Sequence, residues 1–179
     1  MGEDKVGNLE NYVDKIKILQ DKCIKLAPYL HAGETDDISN DGIVKAYALG
    51  SKRVGYGTNL GGFPELFKKF KNDKICLEVC PISNQILKLI PDIKMHPAYE
   101  YFKAGIPIVI ASDDPFMFGS SGVSFDFIEA IVAWHLNLCD VKQLIINSIN
   151  YIALSLYEKR KAIKIWKAKW NDFIKHYNG

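Results

Sequence analysis

Residues 104–115, AGIPIVIASDDP, join a run of apolar, mostly β-branched side chains to a pair of aspartates. Such a run, bounded by glycine on one side and an acidic turn on the other, reads as one fully buried strand. The same design recurs upstream. KICLEVCP (74–81) is a strand closed by Pro81, KRVGYG (52–57) is a short strand ending in a glycine turn, and Tyr29-Leu30-His31 leads into the loop HAGETDD (31–37). Between these strands the apolar spacing turns helical. Leu9, Tyr12, Val13, Ile16, Leu19, Cys23 and Leu26 predict a helix over 9–26 that Pro28 stops. SNDGIVKAYALG (39–50) reads as a helix with Ser39 or Asn40 as its cap and Gly50 just past its end. Helices are also expected over 63–71, 96–103, 124–137, 140–155 and 156–176, with a loop or short helix after Pro81. Alternating strands and helices with buried strands predict an α/β fold, a parallel sheet with helices packed outside it.

The bulk numbers narrow the function classes. The chain has 179 residues, 48% hydrophobic and 25% charged, with a formal net charge of +2. That is ordinary globular composition. The lysines are spread along the chain, so neither a nucleic-acid stripe nor a polybasic membrane anchor is expected. The polar stretch MGEDKVGNLENYVDKIKILQDK lacks an apolar signal region, and no run is long enough to span a bilayer. Cys76 and Cys80 point to one face of a strand but too far apart to bond, and no CxxC pair exists. Dinucleotide and P-loop fingerprints, and the nucleophile elbow of the α/β hydrolases, are also missing.

Polar residues cluster where strands end. His31 and Glu34 follow the first strand, Tyr56 the second, Glu78, Ser83 and Asn84 the third, and Asp113 and Asp114 the fourth. In a parallel barrel, catalytic groups gather at the C-terminal ends of several strands. An imidazole and a carboxylate there suit Zn²⁺, with further ligands needed to complete the shell. A bound metal lowers the pKa of its water, and a carboxyl group such as Glu34 could pass a proton to a substrate nitrogen. Each piece also has a plainer reading: a lone histidine before glycine is commonly structural, and Asp-Asp-Pro commonly forms a turn or helix cap.

Four ordered motifs together resemble the adenosine deaminases, in particular the adenosine deaminase-related growth factors. They are Leu30-His31-Ala32-Gly33-Glu34-Thr35, Arg53-Val54-Gly55-Tyr56-Gly57, Glu78 through Leu87 (EVCPISNQIL), and Ser112-Asp113-Asp114-Pro115-Phe116-Met117-Phe118-Gly119. The resemblance runs over essentially the whole chain and implies the C-terminal half of a (β/α)₈ barrel, about its last four strands with their helices, as one incomplete domain over 1–179. It implies zinc-dependent hydrolysis of adenosine or deoxyadenosine to the inosine nucleoside. By the same resemblance His31 and Asp113 are zinc ligands, Glu34 protonates the purine at N1, Asp113 orients the nucleophile, Asp114 bonds the purine at N7, and Gly33 lets the base approach the backbone.

Two departures bear on that expectation. The family's remaining zinc ligands form an H-x-H pair, and the four histidines here, His31, His96, His135 and His176, are far apart. The family's catalytic histidine in R-[IV]-G-H-G is Tyr56, whose phenol does not accept a proton near neutral pH as imidazole does. Zinc is thus expected with an incomplete ligand set, and the isolated chain is expected to be impaired. The open half-barrel calls for a cover: an N-terminal half in trans, a second copy, or a rearrangement of the half itself. The other reading is a non-catalytic, growth-factor-like or regulatory binding module. Localisation stays open: the branch it resembles is secreted, although this chain shows no signal peptide. For a secreted product, Cys23 and Cys139 are the pair to test for a disulfide.

Overall fold

A computed structural model describes residues 9–22 and 28–177. A 3₁₀ turn, Leu9–Tyr12, leads into α1 (Val13–Asp21). The chain then alternates β1 (Tyr29–Ala32), α2 (Gly42–Ala48), β2 (Arg53–Tyr56), α3 (Pro64–Asn72), β3 (Cys76–Val79), α4 (Pro81–Ile86), α5 (Ala98–Lys103) and β4 (Ile108–Ile110). Three helices close it: α6 (Ser124–Ala133), α7 (Leu138–Asn150) and α8 (Leu156–Tyr177). No helix among the described residues is long and apolar enough to cross a membrane.

The four strands form one parallel sheet in the order β1-β2-β3-β4. Register sorts the side chains by face, because successive residues of a strand point oppositely. Leu30, Val54, Leu77 and Ile108 lie side by side in one row, and His31, Gly55, Glu78 and Val109 in the next. The first row joins the core with Ile43 and Ala46 of α2, Phe70 of α3, Tyr101 of α5 and Leu144 of α7. On the other face Arg53 holds Glu78 through both Nε (2.7 Å) and Nη2 (2.6 Å). Glu78 is therefore a mid-strand partner of an arginine rather than a strand-end group. Both nitrogens converge on the one oxygen, Oε2, a charge-assisted contact between half-buried groups.

Several boundaries differ from the sequence expectation. Asp41, not Ser39 or Asn40, occupies the N-cap of α2 and makes no side-chain cap bond, while Asn40 Oδ1 accepts from Gly42 N at 2.9 Å. The expected helix 140–155 starts earlier, at Leu138, because Asn137 and Asp140 form a reciprocal capping box. It also ends earlier, at Asn150. The helix expected from His96 begins at Ala98, since His96 is extended and buried. Its Nδ1 accepts from Ala98 N, its Nε2 faces Asn84 Oδ1 at 3.2 Å, and burial holds its pKa down at about 4. The end expected for the first helix, with Cys23, lies outside the described residues, so the Cys23–Cys139 pairing does as well. Cys76 and Cys80 are buried free thiols whose pKa burial raises, and Cys139 is free and exposed.

Phe70 is fully buried against this sheet. Phe70→Ala is expected to cost about 3–5 kcal/mol, the range for emptying a buried aromatic site. Urea unfolding reads this directly, and a loss under about 1 kcal/mol would mean the α3–sheet packing is wrong.

Candidate functional site

The strands end at one level, and three of the predicted residues meet there. Tyr56 closes β2 with φ +69°, a left-handed backbone that a bulky residue adopts only at a cost. That turn points the phenol over the strand ends, where its hydroxyl donates to Asp113 Oδ2 at 3.0 Å. Asp113 is itself left-handed, φ +53°, just beyond β4. The same Oδ2 accepts a second, shorter bond from Ser83 Oγ at 2.6 Å. Ser83 is fully buried in the first turn of α4. The imidazole of His31 meets the Tyr56 ring edge-on, with centroids 5.4 Å apart. It can lie across β2 only because the neighbouring position is Gly55, where a Cβ would sit 2.3 Å from His31 Cδ2.

Electrostatics tie Glu34 to this group. Burial raises the Tyr56 phenol well above its ordinary value, and the carboxylates of Asp113 and then Glu34 add to the rise. Gly33, with φ +67°, makes the turn between His31 and Glu34. Asp114 is exposed, and its carbonyl accepts from Met117 N, so it opens a turn rather than joining the Tyr56–Asp113–Ser83 cluster. Behind the cluster, Asp126 of α6 accepts from Ile82 N at 3.2 Å, and burial raises its carboxyl pKa.

Two residues belong to this site without any sequence signal for their part in it. Ser83 was visible at a strand end, but nothing in EVCPISN foretells that its hydroxyl completes Asp113. Asn59 sits in the 3₁₀ turn Thr58–Gly62 that follows β2 and reaches across to the loop carrying Glu34.

The donors present do not fit a catalytic zinc by themselves. Such a site takes three protein ligands and an open position. Among the described residues no group of three or more His, Cys, Asp or Glu gathers as a metal site. The two candidates, His31 and Asp113, have Tyr56 between them, its ring on one and its hydroxyl on the other.

A raised phenol pKa has a definite sign in stability. The folded state keeps the Tyr56 proton at pH values where an unfolded tyrosine, pKa about 10, has lost it. The stabilisation is present below pH 10 and is lost as pH climbs toward the higher folded value. Tyr56→Phe is therefore expected to flatten the fall in unfolding free energy above pH 10, while costing about 1 kcal/mol at pH 7 for the lost bond to Asp113. Equal alkaline slopes in both proteins would show that Tyr56 is not held this way.

Comparison with known proteins gives the chain its family. The family model described as adenosine deaminase matches residues 4–167. Adenosine deaminase 2 of Sus scrofa is 40% identical over 178 residues, covering 96% of this chain and 35% of that protein. This chain thus spans about a third of the length of the curated relatives it matches. Among solved structures, Arabidopsis ADAL complexed with IMP superposes with a TM-score of 0.79 at 21% identity, covering 94% of this chain and 47% of that one. An amidohydrolase from Burkholderia ambifaria with bound zinc gives 0.77 at 20%, covering 93% and 46%. At such identities these structures speak to fold, and they make the four-stranded sheet part of a barrel. On the family match and the 40% identity along nearly its whole length, the chain belongs to the adenosine deaminase family.

Proposed function

We propose that the chain carries the proton-handling and purine-contacting part of a hydrolytic adenosine deaminase site, and that on its own it does not turn over. The observation behind this reading is the convergence of His31, Tyr56 and Asp113 at the ends of β1, β2 and β4, with Glu34 close enough to act on the Tyr56 phenol. In this reading Glu34 holds the proton destined for the purine N1. Gly33 leaves room for the base beside the backbone, and Asp114, at the solvent edge, bonds N7. Asp113 orients the attacking oxygen, and its two hydroxyl partners hold its carboxylate still.

Deamination also needs a group that generates hydroxide, and Tyr56 does not supply one. A raised phenol pKa leaves it a hydrogen-bond donor, not a base. His31 and Asp113 are two donors where a zinc site needs more, so the reading requires further ligands from additional polypeptide. The edges of the four-stranded sheet call for the same additional polypeptide, an N-terminal half in trans or a second copy. Alone, the chain serves as a purine-binding or regulatory module, a role favoured by the two hydroxyls that already occupy Asp113.

The test combines turnover with metal analysis. The purified chain, supplied with zinc and adenosine, is expected to yield no inosine and to retain well under one zinc per chain. Inosine production with one bound zinc, abolished by Glu34→Gln, would contradict the proposal and mean that the site is complete as it stands.

A further inference from the structure

Asn59 reaches into the loop that carries Gly33 and Glu34 from inside. Asn59, 3% exposed, donates from Nδ2 to Asp37 O and to Asn40 O, both at 3.0 Å. The two carbonyls belong to opposite ends of the Asp37–Asn40 turn, which is itself closed by Asn40 N donating to Asp37 O. The direction of the amide is set by chemistry, because the reverse orientation would press its oxygen against two carbonyl oxygens. Its Oδ1, buried and without a hydrogen-bond partner, instead lies against Gly33, where a Cβ would come within 2.3 Å. Asn59 and the glycine at position 33 are thus sterically matched.

The strut stands on a rigid base. Thr58 N donates to Gly33 O at 2.6 Å and Gly57 N to Ala32 O at 2.9 Å, which extends the β1–β2 ladder into the loop. From below, the Tyr101 hydroxyl donates to Thr58 O at 2.9 Å and accepts from Gly61 N at 2.7 Å, clamping the turn that carries Asn59. A buried side chain that gives both its donors to one loop spends its hydrogen-bonding capacity on fixing that loop's position.

We infer that Asn59 is the positioning residue for the Glu34 loop: it fixes where Gly33 and Glu34 stand relative to Tyr56 and Asp113. The inference rests on the reading of these residues as a purine-contacting site, but its structural half can be judged without that reading. Asn59→Asp keeps the shape and replaces two donors by an acceptor facing two carbonyls. Hydrogen exchange and amide NMR of the full chain are the probes, with adenosine as the ligand.

The expected result is a loss of exchange protection of about tenfold or more at residues 33–41, with shifted Gly33 and Glu34 amide resonances and unchanged protection in β2, β3 and β4. Adenosine binding is expected to weaken by a similar factor. Unchanged protection at 33–41 would overturn the inference. So would a freed loop with adenosine affinity intact, since Asn59 would then serve stability only. If Asn59→Asp loses protection throughout the sheet, Asn59→Ser, which keeps one donor, decides: loop-confined loss supports the inference, and sheet-wide loss again overturns it. Should the unmodified chain bind no adenosine at all, the purine reading fails, and the strut stands or falls on loop protection alone.

Discussion

Parallel pairing in a common register is the constraint on which everything else depends. Tyr29 pairs with Arg53, Arg53 with Cys76, and Leu77 with Ile108, so every strand begins and ends at nearly the same level. The residue that follows each strand therefore arrives on one rim, though the contributing positions span more than eighty residues of sequence. With strands of only three or four residues, a one-residue slip would move a row such as Val54 and Leu77 from the core to the opposite face. The buried row against α2, α3, α5 and α7 fixes register, and register assembles the rim.

On that rim the backbone leaves its comfortable range. Tyr56 and Asp113 both take left-handed conformations, and each is stabilised by the other through the phenol–carboxylate bond. Strain of this kind persists where surrounding contacts over-determine it. Here they do: Ser83 holds Asp113 from α4, His31 meets Tyr56 from β1, and Leu77 fills the space beside Gly57, where a Cβ would stand 2.5 Å from its Cδ2. Both hydroxyls that steady Asp113 converge on the same oxygen, Oδ2. The cluster is thereby satisfied among its own side chains.

The sheet was legible because its strands are apolar runs cut off by glycine, proline or acid, as in AGIPIVIASDDP and KICLEVCP. His31, Tyr56 and Asp113 were legible as strand-end groups for the same reason. Helix starts were less so. The α7 start depends on a reciprocal bond between Asn137 and Asp140, and the α2 start on a turn at Asn40 that displaces the helix by one to two residues. Glu78 misled because a carboxylate near a strand's end looks the same in sequence whether it faces substrate or, as here, an arginine on the next strand. Ser83 and Asn59 were opaque for a deeper reason. Their partners, Asp113, Asp37 and Asn40, lie about twenty to thirty residues away, and only folding brings them together.

The central claim is that purine is recognised at this rim, by residues of this chain, whether or not chemistry follows. Chemical-shift mapping of the ¹⁵N-labelled chain titrated with adenosine tests it most directly. The account predicts saturable shifts confined to residues 31–36, 56–59, 83 and 111–115. Shifts elsewhere on the surface with that rim silent, or none at millimolar adenosine, would contradict it.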